Sequence, residues 1–180
     1  MMFERAFAFA GLQFAKTRFR GVCETPQPLT DFFSGARSVL IALPTGYDDA
    51  IHASNAIRVF RDHLAHLQLT VINNSTRTTS LIDFPKCEVI RMQPADINRF
   101  SLPTAPILRR ILSQEYDVAM DLNLDFVLHT AYICKASRAK VRVGFTHRDS
   151  DVFFNIHFNL NKENPPQEVY EKFAAYLRMF

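Results

Sequence analysis

The sequence is poor in glycine, and this excludes the common nucleotide-binding loops. Five of its 180 residues are glycine, and none of them falls in a G-x-G-x-x-G or a G-x-x-x-x-G-K-[ST] pattern. Those loops hold phosphate groups with closely approaching backbone amides, which requires glycines at fixed spacings. We therefore predict that the chain binds no dinucleotide and uses no cofactor.

Cysteine is also scarce, and its spacing excludes a disulfide framework and a zinc–thiolate site. Cys23, Cys87 and Cys134 are odd in number and far apart, with no C-x-x-C pair. Free thiols of this kind indicate a reducing compartment, so we predict a cytoplasmic protein. His63 and His66 have helical spacing, but no third ligand lies near them in sequence, so no metal site is predicted.

Long apolar runs and a dominant charge are both missing. No stretch approaches the roughly 18 uninterrupted apolar residues of a membrane span. The formal net charge is +3, and it comes from residues 1–20, where four bases face one acid. The rest of the chain carries equal numbers of acids and bases. A neutral body lacks the clustered bases that neutralise phosphate backbones, so we predict no nucleic-acid binding.

The basic N-terminus, residues 3–20 (FERAFAFAGLQFAKTRFR), predicts an amphipathic helix in which Phe3, Phe7, Ala10 and Phe14 share one face. One interpretation is a helix that lays this face on the domain. A second is attachment to a protein partner or to an anionic membrane, which would make the protein peripheral at the inner face of the membrane. A third is an organelle transit peptide. The attachment would use Phe3, Phe7, Phe14, Lys16, Arg18 and Arg20.

Beyond the N-terminus the sequence alternates between short apolar runs, typical of buried parallel strands, and helical periodicity. The predicted strands are Ser38–Pro44, Leu69–Asn73, Cys87–Met92, Asp117–Leu122 and Lys140–Phe145, with Phe153–Leu160 either a strand or an extended arm. The predicted helices are 48–66, Pro106–Ser113, Phe126–Ala136 and Pro166–Met179. This alternation predicts an α/β fold: a single Rossmann-like, three-layer domain with a mostly parallel sheet over residues 37–180. Residues 1–36 form the preceding helix and its connector.

Polar side chains follow the first and fourth predicted strands, at the edge of the sheet where ligands bind in such folds. The candidate ligand-binding residues are Asp48, His52, Asp121, Asn123 and Asp125. Each group has a structural alternative. Acids at a helix start complement the helix dipole, and Asp or Asn at that point caps the first turn.

Three segments carry a family resemblance. The first strand leads through Gly46-Tyr47-Asp48-Asp49-Ala50-Ile51-His52 into a helix, and Tyr116–Asn123 (YDVAMDLN) and Ala136–Phe145 (ASRAKVRVGF) follow further on. From Ser38 to Phe180 the chain resembles the N-terminal, acceptor-side domain of heptosyltransferase-type glycosyltransferases (glycosyltransferase family 9). The helix and domain together also resemble a small uncharacterised bacterial single-domain family.

The resemblance implies that Asp49 is a general base that deprotonates an acceptor hydroxyl. It also implies a sugar or lipopolysaccharide-type acceptor as ligand. In that family a second Rossmann-like domain binds the nucleotide-sugar donor, and this sequence corresponds to the first domain. Three family positions differ: the Gly before the catalytic Asp is Asp48, a helix Pro is Asn55, and Gly-x-x-Lys-Ser is Leu124–Leu128.

Two classes of function follow. The first, which we favour, is a non-catalytic binding or scaffold protein that keeps the glycosyltransferase-like fold without the donor domain. The alternative is a glycosyltransferase, or a subunit of one, in cell-envelope polysaccharide synthesis. In that alternative Asp49 acts as the base and another chain supplies the donor site.

Overall fold

The computed structural model describes residues 2–21, 35–59, 66–74, 86–159 and 163–177. Most of the predicted connector lies outside these ranges, as do Cys23 and His63.

A six-stranded sheet forms the centre of the described part of the chain. Its strands are β1 (Ser38–Ala42), β2 (Gln68–Asn73), β3 (Cys87–Arg91), β4 (Val118–Asp121), β5 (Val141–Phe145) and β6 (Ile156–Phe158). The order across the sheet is β3-β2-β1-β4-β5-β6, and every neighbouring pair is parallel. The segment predicted as either strand or arm therefore contributes the edge strand β6.

Helices cover both faces of the sheet, and the predicted Rossmann-like three-layer class is confirmed. The helices of the described ranges are α1 (Met2–Phe19), α2 (Tyr47–Val59), α3 (Ala105–Ile111), α4 (Leu128–Ala136) and α5 (Pro166–Leu177). α2 and α5 share one buried cluster with the sheet, while α1, α3 and α4 share the other. In β1, Val39 and Ile41 belong to the first cluster and Leu40 and Ala42 to the second, since alternate side chains leave opposite faces.

The C-terminal helix was predicted, and one residue of its predicted buried face is exposed instead. The spacing predicts a face of Val169, Phe173, Tyr176 and Leu177, yet Tyr176 is 54% exposed, while Val169 is half-buried and packs against the core. The residues in the core are Tyr170, Phe173, Ala174 and Leu177. Tyr170 turns inward because its hydroxyl finds a buried partner, the carbonyl oxygen of Leu122, at 2.7 Å.

The N-terminal helix is present and packs on the domain, but not through the predicted phenylalanine face. Its buried or partly buried side is formed by Gly11, Leu12, Ala15 and Phe19. The interpretation in which the shared phenylalanine face covers the domain is wrong. A helix can approach a backbone closely only along small residues, and Gly11 and Ala15 provide that side.

The predicted attachment residues of α1 divide between the domain and the solvent. Phe3 and Phe14 are exposed to 79% and 54%. Phe7 instead meets the ring of Phe100 edge-on, with centroids 5.6 Å apart. Lys16 forms an ion pair with Asp149. The side chains of Phe3, Phe14, Arg18 and Arg20 remain exposed to solvent, and that of Phe7 is 36% exposed.

Candidate functional site

The carboxyl ends of β1 and β4 meet at the point where the strand order changes direction. β1 is hydrogen-bonded to β2 on one side and to β4 on the other, and Ala42 is paired with Asp121. The loops that follow these two strands therefore lie side by side. In open parallel sheets this switch point is where ligands bind.

Asn123 joins these two loops, and Asp121 holds the Asn123 side chain in place. The Asp121 carboxylate accepts hydrogen bonds from the Asn123 backbone N–H at 3.1 Å, the Asn123 Nδ2 at 2.6 Å and the Thr130 hydroxyl at 2.7 Å. The Asn123 Oδ1 accepts a further bond from the Thr45 N–H at 3.0 Å. Both side chains are buried, and their polar atoms form hydrogen bonds within the protein. Their structural role, loop fastening, differs from the helix capping that the sequence suggested.

Burial also perturbs the ionisation of this network. Desolvation raises the pKa of Asp121 to about 6, and the donors from Asn123 and Thr130 oppose that rise because they favour the carboxylate. The hydrogen bonds from Asn123 and Thr130 thus offset part of the cost of burying the Asp121 charge.

Asp49 lies in the first turn of α2 and is half-buried. Burial raises its pKa; His52 lowers it, while Asp125 and Asp48 raise it. Asp48 and Asp125 are exposed. The structure thus brings four of the sequence-predicted residues together, with three carboxylates and one imidazole at the switch point.

A groove leads away from this group between α2 and α5. It has a volume of about 390 Å³, a size usual for small-molecule sites. The polar side chains that line it include those of His52, Asn55, Gln167 and Glu171, and Ala56 and Ala174 contribute apolar surface. His52 therefore belongs both to the acidic group and to the groove.

Tyr170 is a residue of this region that the sequence did not reveal. It lies between the groove and the sheet, and its hydroxyl donates to Leu122 at the end of β4. Burial, with Asp49 and Asp121 as further causes, raises its pKa, so the phenol stays protonated. A tyrosine at helical spacing gives no sign in the sequence that its hydroxyl anchors a loop.

His129 is a second residue that was missed. It is 8% exposed in α4, and its Nε2 has no hydrogen-bond partner among the described residues. Burial lowers its pKa to about 4, so the imidazole is neutral.

Ser150, His157 and Asp151 are spaced like a nucleophile, a base and an orienting acid, but they do not form such a site. The Ser150 Oγ is 3.3 Å from the His157 Nδ1, and the His157 Nε2 is 3.6 Å from the Asp151 Oδ1. The serine, however, is fully buried and donates its proton to the His147 carbonyl at 2.8 Å. A nucleophile must reach its substrate, so this group fastens the turn after β5.

The described ranges contain no group of three or more His, Cys, Asp or Glu side chains that could hold a metal ion. None of their helices is long and apolar enough to cross a bilayer.

The fold is that of a glycosyltransferase family 9 domain. One similar structure is a glycosyl transferase family 9 protein from Veillonella parvula DSM 2008, with a TM-score of 0.64 and 16% identity over 78% of this chain and 41% of that one. Another is the heptosyltransferase WaaC of E. coli with ADP, with a TM-score of 0.55 and 16% identity over 77% of this chain and 46% of that one. The chain thus spans less than half the length of either structure. At this identity the likeness concerns the fold.

Residues 61–180 match the sequence model of DUF6913, a family of unknown function, and the chain belongs to that family. No curated protein matches the sequence.

Proposed function

We propose that this chain is a binding domain on a glycosyltransferase-like fold, without transferase activity of its own, and that it takes a neutral, hydroxylated ligand such as a sugar. The observation that carries the proposal is that the polar side chains at the switch point have two different roles. Asp121 and Asn123 are occupied in fastening the loops. The carboxylates of Asp48, Asp49 and Asp125 therefore remain available to contact a ligand.

The charge of this group supports a neutral ligand. Three carboxylates that act on one another repel an added phosphate or diphosphate. Carboxylates do accept hydrogen bonds from hydroxyl groups. The lining of the adjoining groove is mostly apolar, and His52, Asn55 and Gln167 supply further donors and acceptors in it. Polar groups beside an apolar surface suit a sugar ring, which has hydroxyls at its edge and C–H groups on its faces.

One observation favours a second candidate, a glycosyltransferase or a subunit of one. Burial raises the pKa of the half-buried Asp49 in the direction of neutral pH. A general base works best when its pKa lies near the pH at which it acts. In this candidate Asp49 deprotonates the acceptor hydroxyl, and another domain or chain holds the donor.

The cytoplasm is the compartment that we propose for this domain. Cys134 is buried and free, and Cys87 is partly buried and free. Burial raises the pKa of Cys87 to about 11, so its thiol is protonated and slow to oxidise.

The binding proposal is tested by saturation-transfer NMR on the full chain with neutral monosaccharides and with the same sugars as phosphates. We expect signals from neutral sugars and weaker or no signals from the phosphates. Asn55→Ala, in the groove, should reduce the sugar signal, whereas Gln13→Ala, on exposed α1, should not. Absent sugar signals, or stronger signals from the phosphates, would contradict the proposal.

The two candidates are separated by incubating the chain with nucleotide-sugars and acceptor sugars in the presence of a native cell extract, which supplies any separate donor-binding chain. The binding proposal expects no transfer above that of the extract alone and, for the purified chain, no saturable nucleotide-sugar binding by calorimetry. Transfer that is lost in Asp49→Asn but kept in the adjacent, exposed Asp48→Asn would replace it with the glycosyltransferase candidate. Both aspartates lie in the first turn of α2, where a carboxylate complements the helix dipole, so each variant should lose no more than about 1 kcal/mol of stability.

A further inference from the structure

The outward side of α1 presents phenylalanine rings to solvent. Phe3, Phe9 and Phe14 are exposed to 79%, 63% and 54%. Gly11 and Ala15 hold the other side of the helix on the domain. The outward rings therefore expose on the order of 400 Å² of apolar surface, comparable to the largest patch of a typical monomer.

The spread of these rings around the helix indicates what kind of surface they fit. Successive helical residues turn by about 100°, so Phe9 and Phe14 lie roughly 140° apart. A coiled-coil or groove partner is met along a narrow seam of positions three and four apart. A helix that lies in a lipid interface buries a broad apolar face instead. The phenylalanine rings of α1 are spread over a broad face, as on a helix that lies in a lipid interface.

The charges around the rings favour an anionic surface. Glu4 in the first turn is the one acid of residues 2–20, and Lys16 is already paired with Asp149. Arg5, Arg18 and Arg20 are exposed.

The neighbouring loop adds a further base. The Arg99 guanidinium lies over the rings of Phe7 and Phe100, 5.3 Å and 5.0 Å from their centroids. Long basic side chains beside apolar rings reach anionic headgroups while the rings enter the acyl boundary.

We propose that the outward face of α1, formed by Phe3, Phe9 and Phe14 with Arg5, Arg18 and Arg20, docks the domain on an anionic lipid bilayer. This proposal does not depend on the ligand proposed for the switch point. The binding of that ligand is tested in the absence of lipid, so the two proposals can fail separately. The helix needs no movement to reach the bilayer, since its domain-facing side stays packed. Phe9 takes the place in the docking face that the sequence had suggested for Phe7.

Sedimentation of the full chain with vesicles tests the proposal. We expect binding to vesicles of equal parts phosphatidylcholine and phosphatidylglycerol, loss of binding in high salt, and little binding to pure phosphatidylcholine. Arg18→Gln with Arg20→Gln should weaken binding about ten-fold or more. Phe3→Ser with Phe9→Ser and Phe14→Ser should abolish it. Tyr176→Ser, an equally exposed ring on the opposite side of the sheet, should bind like the wild type.

A second readout uses the absence of tryptophan from the sequence. Phe14→Trp gives a single reporter on the docking face, and Tyr176→Trp gives one on α5. Anionic vesicles should shift the emission of the first reporter to the blue and leave the second unchanged. No binding to anionic vesicles, equal binding of the phenylalanine variant, or equal shifts of both reporters would overturn the proposal. A chain that binds an acidic protein and no vesicle gives the first of these results.

Discussion

At the scale of single residues, two buried ionisable groups have opposite effects on the pH dependence of stability. Burial lowers the pKa of His129 to about 4 from an ordinary value of 6.5. Between these values the unfolded chain binds a proton that the native chain does not, so stability falls as the pH falls. Burial raises the pKa of Asp121 to about 6 from 3.8. There the native chain binds the extra proton, and stability rises as the pH falls.

His129→Leu should remove the first effect and leave the second. From about pH 7 to about pH 4.5, the variant should gain free energy of unfolding relative to the wild type, on the order of 3 kcal/mol over the whole range. Urea unfolding at several pH values measures this difference, and comparison with the wild type cancels the other carboxylates. The exposed His66 offers a control for the removal of one imidazole, through His66→Gln. A difference that stays constant with pH would show that His129 titrates normally.

At the scale of elements, α1 is seated by one close backbone approach. A Cβ added to Gly11 would lie 2.0 Å from the carbonyl oxygen of Phe100, which is far inside contact distance. The loop of Phe100 does not give way easily. Its N–H groups at Phe100 and Leu102 both donate to the Asn98 Oδ1, and Ser101 has a positive φ of 59°. The absence of a side chain at position 11 therefore determines how closely this helix sits.

Gly11→Ala should destabilise the protein although alanine favours helices over glycine by about 1 kcal/mol. The clash with the Phe100 carbonyl should outweigh that gain and lower the free energy of unfolding by roughly 1–3 kcal/mol. Hydrogen exchange should show faster opening of α1 than in the wild type. Ala10→Gly, at the neighbouring exposed position, carries the propensity cost without the clash. A more stable Gly11→Ala would mean that α1 does not approach Phe100 so closely.

At the scale of the whole molecule, one side of α1 is part of the core on one face of the sheet, and its other side is exposed to solvent. Ala15 is fully buried. The ring of Phe19 meets Tyr132 and Phe153 at centroid distances of 5.1 Å and 6.2 Å. The opposite face is closed by α2 and α5, whose groove adjoins the switch point. Stability and attachment thus depend on different sides of one helix.

Deletion of residues 1–20 should lower the melting temperature by about 10 °C, because it uncovers apolar surface that Leu12, Ala15 and Phe19 protect. Differential scanning calorimetry of the truncated and full chains measures the change. The matched control is the exposed-ring variant Phe3→Ser with Phe9→Ser and Phe14→Ser, which should melt like the wild type. An unchanged melting temperature after deletion would contradict the packing of α1 on the domain.

The sequence by itself determined the class of fold and the position of its strands. Runs such as Ser38–Pro44 are apolar at nearly every position, and only a strand covered on both faces requires that. The separation between runs leaves room for crossover helices, so a parallel sheet follows. The sequence also located the acidic group, because Asp48 and Asp49 come directly after a buried strand and open a helix. Local pattern is sufficient for these features because each depends on one segment and its periodicity.

The tertiary structure alone decided which side of each helix is buried and which polar side chains are free. Phe3, Phe7 and Phe14 have helical spacing, yet α1 turns its small residues inward because Gly11 fits beneath the Phe100 carbonyl. Asn123 comes at a strand end like a ligand-binding residue, yet its Oδ1 accepts a hydrogen bond from the N–H of Thr45, which belongs to the loop after β1. Tyr170 is buried because the end of β4 offers its hydroxyl an acceptor. Each outcome depends on a contact between residues far apart in the chain, and periodicity within one segment carries no information about such contacts.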